Sequence, residues 1–245
     1  MSISSASDGR TVHRRPSPPE QGRNRAGRRP RSPFWLAVLI LLLPLAGLPW
    51  STPGNRGPTW RLTGLRDRGV LDLAVQAGEG LVFLYAVTTT GIERSIDGGQ
   101  SWVAIQSGLP TGPLGEVQVH ALTVSPDDAR QLWVVAGASA ERAVYGSDNG
   151  GSEWRQIWGG MVPGETAVLH VTPGTPKIIY LGTEEKLYRS PDGGISWLEI
   201  GPLPNRAAIR SLLSSSTDPQ ILTAGTQEGL WQSSDGGKSW NPGAG

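Results

Sequence analysis

Four residues whose types could bind a ligand lie in short apolar segments along the chain. The segments are VLDLAV, VHALTV, LHVTP and IRSLL, and the four residues share one column when these are aligned, allowing for a three-residue shorter turn in the third. They are Asp72, His120, His170 and Arg210. An acid, two imidazoles and a guanidinium that converge in a channel could bind a small anion or a metal ion. The alternative is that they lie at wet strand ends and are satisfied by one another or by water.

A motif that repeats four times must position these segments. It reads SIDGGQSW at 95–102, SDNGGSEW at 147–154, SPDGGISW at 190–197 and SSDGGKSW at 233–240, and we call these four segments the repeat corners. Each corner follows two apolar strands and a short strand that bears an aromatic or aliphatic side chain, and each precedes a further short strand. Four strands in a unit of about 43 residues have the period of a propeller blade.

The repeat corners have a structural explanation. Between antiparallel strands, Asp-Gly-Gly supplies the positive φ values of a tight turn, and the Asp side chain can accept hydrogen bonds from the turn's own N–H groups. Asn149 keeps this turn in the second corner without the charge. The Ser can bond to the turn, and the Trp can pack blade on blade. The predicted structural residues are Ser95, Asp97, Gly99, Trp102, Ser147, Asn149, Gly151, Trp154, Ser190, Asp192, Gly194, Trp197, Ser233, Asp235, Gly237 and Trp240.

The repeat corners resemble the Asp-box, or BNR, repeat, S-x-D-x-G-x-x-W, which three of them match fully and the second matches with Asn149 in place of Asp. Asp-box repeats occur in sialidases, in other glycoside hydrolases, in sorting-receptor ectodomains and in photosystem II assembly and stability factors, all of which are β-propellers. The resemblance implies an all-β fold, a β-propeller of four four-stranded blades with the corners at its periphery. The blades are expected at about 66–107, 117–158, 167–201 and 207–242.

Residues 59–65 look like the last strand of a blade that has no other strands. Trp60 lies 42 residues before Trp102, and the last unit ends in WNPGAG, a poor fourth strand because of Pro242. We predict that residues 59–65 complete the C-terminal blade and close a ring within 59–245, which would remove exposed sheet edges. The alternatives are an open four-blade arc that associates with a second copy as a homodimer, and a truncated paralogue.

The first 50 residues predict a membrane anchor. Residues 1–33, rich in Ser, Pro, Gly and Arg, are expected to be a disordered basic tail. Residues 34–50, FWLAVLILLLPLAGLPW, carry no charge and have the length of a short transmembrane helix. The Arg residues beside them predict a cytoplasmic tail and, after a linker at 51–58, an extracytoplasmic propeller on a single-pass cell-membrane protein. A cleaved signal peptide is the competing interpretation, disfavoured by the long stretch before the apolar run.

Composition excludes several kinds of chemistry. The 245 residues contain no Cys, which rules out disulfides, Cys-ligated metals and a thiol nucleophile. Sialidase chemistry needs clustered Arg residues, a Tyr–Glu pair and an Asp, but the four Tyr residues occupy blade-core columns. The Arg-rich tail lacks interleaved aromatic residues, so nucleic acid is not a predicted partner.

The sequence therefore assigns no catalytic residue, no cofactor and no set of metal ligands. It predicts a non-enzymatic membrane-anchored propeller that binds a protein partner as an assembly scaffold, similar to the photosystem II assembly factors. The alternative is a sialidase-like module that binds or hydrolyses glycans.

Overall fold

The computed structural model describes residues 64–65, 68–78, 81–138, 141–159, 162, 164, 167–201 and 203–243. The predicted tail at 1–33, membrane helix at 34–50 and linker at 51–58 lie outside the described residues. Within the described part of the chain, no helix combines the length and the apolar character needed to cross a membrane.

The described residues form four antiparallel sheets of four strands each, and the strands of each sheet follow one another in chain order. Blade 1 holds β1 (Val70–Gly78), β2 (Leu81–Thr88), β3 (Gly91–Ser95) and β4 (Val103–Ala104). Blade 2 holds β5 (Val119–Val124), β6 (Leu132–Ala136), β7 (Ala143–Ser147) and β8 (Arg155–Trp158). Blade 3 holds β9 (Ala167–Val171), β10 (Ile179–Thr183), β11 (Leu187–Ser190) and β12 (Leu198–Gly201). Blade 4 holds β13 (Ile209–Ser214), β14 (Leu222–Thr226), β15 (Gly229–Ser233) and β16 (Asn241–Pro242), so the predicted all-β, four-bladed propeller fold is confirmed.

Each repeat corner joins the third and fourth strands of its blade. In the first corner φ is 73° at Gly98 and 88° at Gly99, a conformation that residues with a Cβ rarely adopt. The two glycines turn the chain sharply enough for β4 to return beside β3. The same pair of positive-φ glycines recurs in the other three corners.

The apolar core is divided into three clusters, each between two consecutive blades. Tyr85 and Ile92 of blade 1 pack with Val134 and Trp154 of blade 2 in the first cluster. The second cluster joins blades 2 and 3, and the third joins blades 3 and 4. Because side chains alternate along a strand, each blade has a front face toward the following blade and a rear face toward the preceding one.

The four blades form an arc. We call the first strand of each blade its inner strand. The inner strand β1 packs beside β5, β5 beside β9, and β9 beside β13, but no comparable packing joins β13 to β1 among the described strands. The rear face of blade 1 and the front face of blade 4 therefore lack, among the described residues, the packing that joins the other consecutive blades. The predicted closure of the ring is not found among the described residues.

The fourth blade takes its outer strand from its own C-terminal end. Trp231 pairs with Pro242 and Gln232 with Asn241, so β16 holds the place beside β15 that the sequence assigned to residues 59–65. Residues 59–63 lie outside the described residues. The described end of that segment lies on blade 1, where the Gly64 N–H donates to the Gly99 carbonyl at 3.4 Å.

Candidate functional site

The inner strands place the four candidate ligand residues at three different registers. In every blade, one residue of the second strand pairs both with the first Ser of the corner and with a residue of the inner strand. That inner-strand residue serves as the reference position for comparing the four blades. Counted from it, His170 is equivalent to Leu213 and Asp72 to Ser211, whereas His120 and Arg210 are bulged residues. The four do not form the predicted single column, because the turn after the inner strand is no shorter in the third blade than in its neighbours. His170 pairs with Tyr180 just as Leu213 pairs with Thr223.

Three of these residues also have different surroundings. The Asp72 carboxylate accepts a hydrogen bond from the Leu73 N–H at 2.8 Å, and burial raises the pKa of Asp72. The His120 Nε2 lies 2.9 Å from the Gly137 carbonyl within its own blade, and burial lowers the pKa of His120. Arg210 is exposed on β13.

His170 lies between blades 3 and 4. Its Nε2 is 2.8 Å from the Ser214 hydroxyl, and burial lowers the pKa of His170 to about 4. The imidazole is therefore neutral at pH 7 and is part of the contact between the two blades. Among the described residues, no group of three or more His, Asp or Glu side chains is close enough to hold a metal ion.

The repeat corners, in contrast, are closed by their own side chains. The first Ser hydroxyl donates to the Asp or Asn side-chain oxygen two residues later, at 2.7, 2.9, 2.9 and 2.8 Å in the four corners. The same hydroxyl accepts a bond of 2.7 to 2.9 Å from the N–H of the second Gly. In the three Asp corners a second Ser also donates to the carboxylate, and this bond is the main reason why the pKa values of three residues lie below the usual range. They are Asp97, Asp192 and Asp235.

The corner tryptophans differ in what they bond to. Trp102, Trp197 and Trp240 donate their indole N–H to the second Gly carbonyl of their own corner, at 3.0 to 3.1 Å. Trp154 instead donates to the Ile105 carbonyl of blade 1 at 2.6 Å and is only 3% exposed. The second corner is thus fastened to the preceding blade.

Aromatic side chains in the second strands link consecutive blades. The Tyr85 hydroxyl donates to the Ala129 carbonyl of blade 2 at 2.6 Å, and the Trp133 indole N–H lies 3.4 Å from the Gly193 carbonyl of blade 3. The Tyr180 hydroxyl lies 3.4 Å from the Gly236 carbonyl. The sequence identified these aromatic residues as blade core, but their bonds to the next blade carried no sequence signal because the partners are main-chain atoms.

The front face of blade 4 carries exposed apolar side chains. Leu230 is 58% exposed, whereas the equivalent residues of blades 1 to 3, Ile92, Val144 and Leu187, are fully buried under the following blade. Leu213 on the inner strand is 63% exposed. These side chains lack the cover that a following blade gives to their equivalents.

The rear face of blade 1 is more mixed. Val75 is 50% exposed, and it is equivalent to Ser214, which contacts the preceding blade through His170. Glu93 is buried on this face and forms an ion pair with Arg68. The equivalent positions of the other blades hold Tyr145, Tyr188 and Trp231. The first blade therefore combines an apolar edge with a paired charge.

Comparison with known proteins relates this geometry to solved propellers. No protein-family model and no curated protein sequence matches the chain. The GH74 xyloglucanase from Xanthomonas campestris is 25% identical with a TM-score of 0.52, and the alignment covers 66% of this chain and 29% of the enzyme. An ancestral GH74 enzyme is 16% identical with a TM-score of 0.52, and the alignment covers 75% of this chain and 25% of the enzyme. This chain has the fold of these propellers.

A third solved structure, YCF48 bound to D1 peptide, is 18% identical with a TM-score of 0.49 over 71% of this chain and 53% of that one. The chain spans less than a third of the length of the two GH74 enzymes and about half of YCF48. The similarity therefore concerns a set of blades rather than a whole relative.

Proposed function

We propose that this chain is a non-enzymatic, membrane-anchored, extracytoplasmic β-propeller that binds protein partners as an assembly scaffold. The observation that carries the proposal is the exposed apolar surface at the ends of the arc, above all Leu213 and Leu230 on blade 4. Contiguous apolar surface on a folded domain marks protein–protein interaction sites. The corner carboxylates are engaged in turn hydrogen bonds, which favours a structural role for them over catalysis.

Site-specific photocrosslinking tests this proposal. The full chain is expressed in its native membrane with a benzophenone amino acid in place of Leu213 or Leu230. Irradiation is expected to give discrete adducts of higher mass. Ile195 at the tip of the third corner is 85% exposed and serves as the control, because it lies away from both end faces. Adducts at Ile195 equal to those at Leu213, or none at either end-face position, would contradict the proposal.

The anchor is supported by the sequence of residues 34–50 and by the Arg residues before it. Resistance of the full chain to alkaline carbonate extraction is expected, together with protease accessibility of the propeller only from the extracytoplasmic side. Release of the chain by carbonate, or protection of the propeller, would contradict the anchored topology.

A second copy of the chain is the partner that the arc itself favours. The His170–Ser214 contact joins the front of blade 3 to the rear of blade 4 at 2.8 Å, and the equivalent pair at the free ends is Leu213 and Val75. Head-to-tail pairing of two arcs would bring Leu213 of one copy to Val75 of the other and build eight blades, within the range of known propellers.

Cysteine crosslinking tests this homodimer cleanly because the chain has no Cys. The Val75→Cys, Leu213→Cys double variant, oxidised with copper phenanthroline, is expected to form a disulfide-linked dimer. The Val75→Cys, Ile195→Cys variant is the matched control. A crosslinked monomer would show that one arc closes on itself, and dimer yields equal to the control would exclude the proposed pairing.

Glycan binding or hydrolysis is the second candidate function. It is favoured by the 25% identity to the Xanthomonas campestris xyloglucanase. Hydrolysis of a xyloglucan oligosaccharide or a sialoside by the full chain, abolished by heat denaturation, would favour this function over the scaffold. Retention on immobilised xyloglucan without hydrolysis would indicate a glycan-binding module.

A further inference from the structure

A cavity of about 320 Å³ opens between blades 2 and 3, beside the third corner. Its apolar wall is formed by Trp133 and Ile157, and its floor includes Gly146 and Gly193. Lys177 and Asp192 of blade 3 stand at its side. The cavity is large enough for one long side chain and combines an aromatic surface with polar groups.

The corresponding positions of blades 1 and 3 hold arginine, whereas blade 4 has Gln232. Arg94, Gly146 and Arg189 are equivalent, because they pair with Tyr85, Trp133 and Tyr180 in the second strands. The Arg94 Nη1 donates to the Gly150 carbonyl of the next corner at 2.8 Å. Arg189 Nε lies 3.4 Å from the Tyr180 hydroxyl, which itself approaches the Gly236 carbonyl. Blade 2 faces the equivalent corner, but Gly146 places no side chain in the groove, and the Gly193 carbonyl there is approached at 3.4 Å by the Trp133 indole N–H instead of by an arginine.

Hydrogen-bond acceptors remain in the groove without a cation. The Gln131 Oε1 is buried in the wall of the cavity and has no hydrogen-bond partner among the described residues. Buried acceptors in this state are rare because they lose their hydration without compensation. The carboxylates of Asp148 and Asp192 also line the cavity. The two basic groups have acids of their own, since Lys177 pairs with Asp127 and Arg155 lies 4.0 Å from Glu153.

We propose that this cavity binds an arginine side chain of a partner protein, whose guanidinium takes the place that Arg94 and Arg189 hold in the neighbouring grooves. The guanidinium can approach the Trp133 side chain in the cavity wall and pair with the carboxylates of Asp148 and Asp192. This inference rests on the proposed scaffold function and names the side chain by which a partner is recognised.

Fluorine NMR of the full chain in nonionic detergent, labelled with 5-fluorotryptophan, tests the proposal. The Trp133→Phe variant identifies the Trp133 resonance among the ten tryptophans. The probe is the capped peptide acetyl-Gly-Arg-Gly-amide, and its comparator carries citrulline, which keeps the shape and removes the charge. We expect a saturable shift of the Trp133 resonance with the arginine peptide and affinity at least about tenfold lower for the citrulline peptide.

The matched variant is Gly146→Arg, which fills the groove from within. Two equivalent positions already hold Arg, so the variant is expected to fold and to lose the peptide-induced shift. No saturable shift, equal affinities for the two peptides, or full binding by a folded Gly146→Arg protein would each overturn the proposal. If Gly146→Arg fails to fold, the citrulline comparison on the unaltered chain still decides. Photocrosslinks at Leu213 with no arginine binding would leave the scaffold proposal standing and remove only this one.

Discussion

The repeat corners and the inner strands arise from the same fourfold repeat, yet they differ in uniformity. The four corners close with nearly identical bonds, including Ser-to-Asp or Ser-to-Asn distances of 2.7 to 2.9 Å. On the inner strands, the positions equivalent to His170 hold Ala74, Thr123 and Leu213, and a bulge is present in three blades out of four. A corner is stabilised by residues within a few positions of each other, whereas an inner strand is stabilised by the blade next to it.

Contacts within one turn stabilise the corners, and contacts between blades stabilise the inner strands. The second corner depends on both kinds of contact. Its Trp154 bonds to the preceding blade, while the other corner tryptophans bond within their own corners. Variants that affect neighbouring blades should therefore be costlier than variants confined to one turn.

The largest effect is expected for Trp154→Ala. The side chain is 3% exposed and its loss removes both the packing and the bond to Ile105, so we expect a destabilisation of about 3–5 kcal/mol. Trp240→Ala, at the partly buried equivalent, should cost about 2 kcal/mol. Urea unfolding of the full chain followed by circular dichroism measures both. Equal losses would show that the corners are energetically alike.

His170 should make stability depend on pH in a window that the corners do not share. Its folded-state pKa of about 4 lies below that of an unfolded histidine, so the unfolded chain binds more protons between the two values. Stability is fully present above about pH 6.5 and falls as the pH drops toward 4, by up to about 3 kcal/mol. In the His170→Gln variant, the free energy of unfolding should depend less on pH across this range. An unchanged pH dependence would contradict His170 as its source.

Two neighbouring glycines of the third corner distinguish turn strain from inter-blade packing. A Cβ on Gly194 would lie 2.4 Å from Ile157 of blade 2, whereas one on Gly193 would meet nothing within 4 Å. Both have positive φ, at 105° and 76°. We expect Gly194→Ala to cost about 2–3 kcal/mol and Gly193→Ala about 1 kcal/mol. Thermal unfolding midpoints of the two variants provide the test, and the reverse order would argue against packing as the cause.

The smallest effect is expected from the corner carboxylates, of which Asp97 is exposed and Asp192 and Asp235 are partly exposed. Because the folded-state pKa values of Asp97, Asp192 and Asp235 are lowered, their contribution is present above about pH 4 and is lost as the pH falls below it. The triple Asp→Asn variant, which copies Asn149 of the second corner, should unfold with a weaker dependence on pH below 4. The same dependence in variant and parent would exclude the corners as its source.

The sequence predicted the blades well because their signals are periodic and local. The corner spacing located β3 and β4, β7 and β8, β11 and β12, and β15 from residues that lie side by side, but the last outer strand was assigned to residues 59–65 instead of β16. The predicted ligand column failed because it assumed a shorter turn in the third blade, whereas His170 pairs with Tyr180 just as Thr123 pairs with Trp133. The apolar pattern locates the two strands, but only their pairing fixes the length of the turn between them.

The sequence also indicated nothing about the groove between blades 2 and 3. Arg94, Gly146 and Arg189 occupy equivalent positions, but only the pairing of third strands with second strands shows what the missing side chain leaves open. The Glu93–Arg68 ion pair on the rear of blade 1 was missed for a similar reason. Only the strand pairing shows that Glu93 is equivalent to Tyr145, Tyr188 and Trp231 of the other blades.

The sequence by itself determined the number of blades, the strands and the corners, because these depend on hydrogen bonds between residues a few positions apart. The tertiary structure alone decided that the described blades form an arc, that His170 lies between two blades and that β16 completes the last sheet. The arc depends on how much each blade turns relative to the next. That turn is the sum of many side-chain contacts between distant residues, and no short motif encodes it.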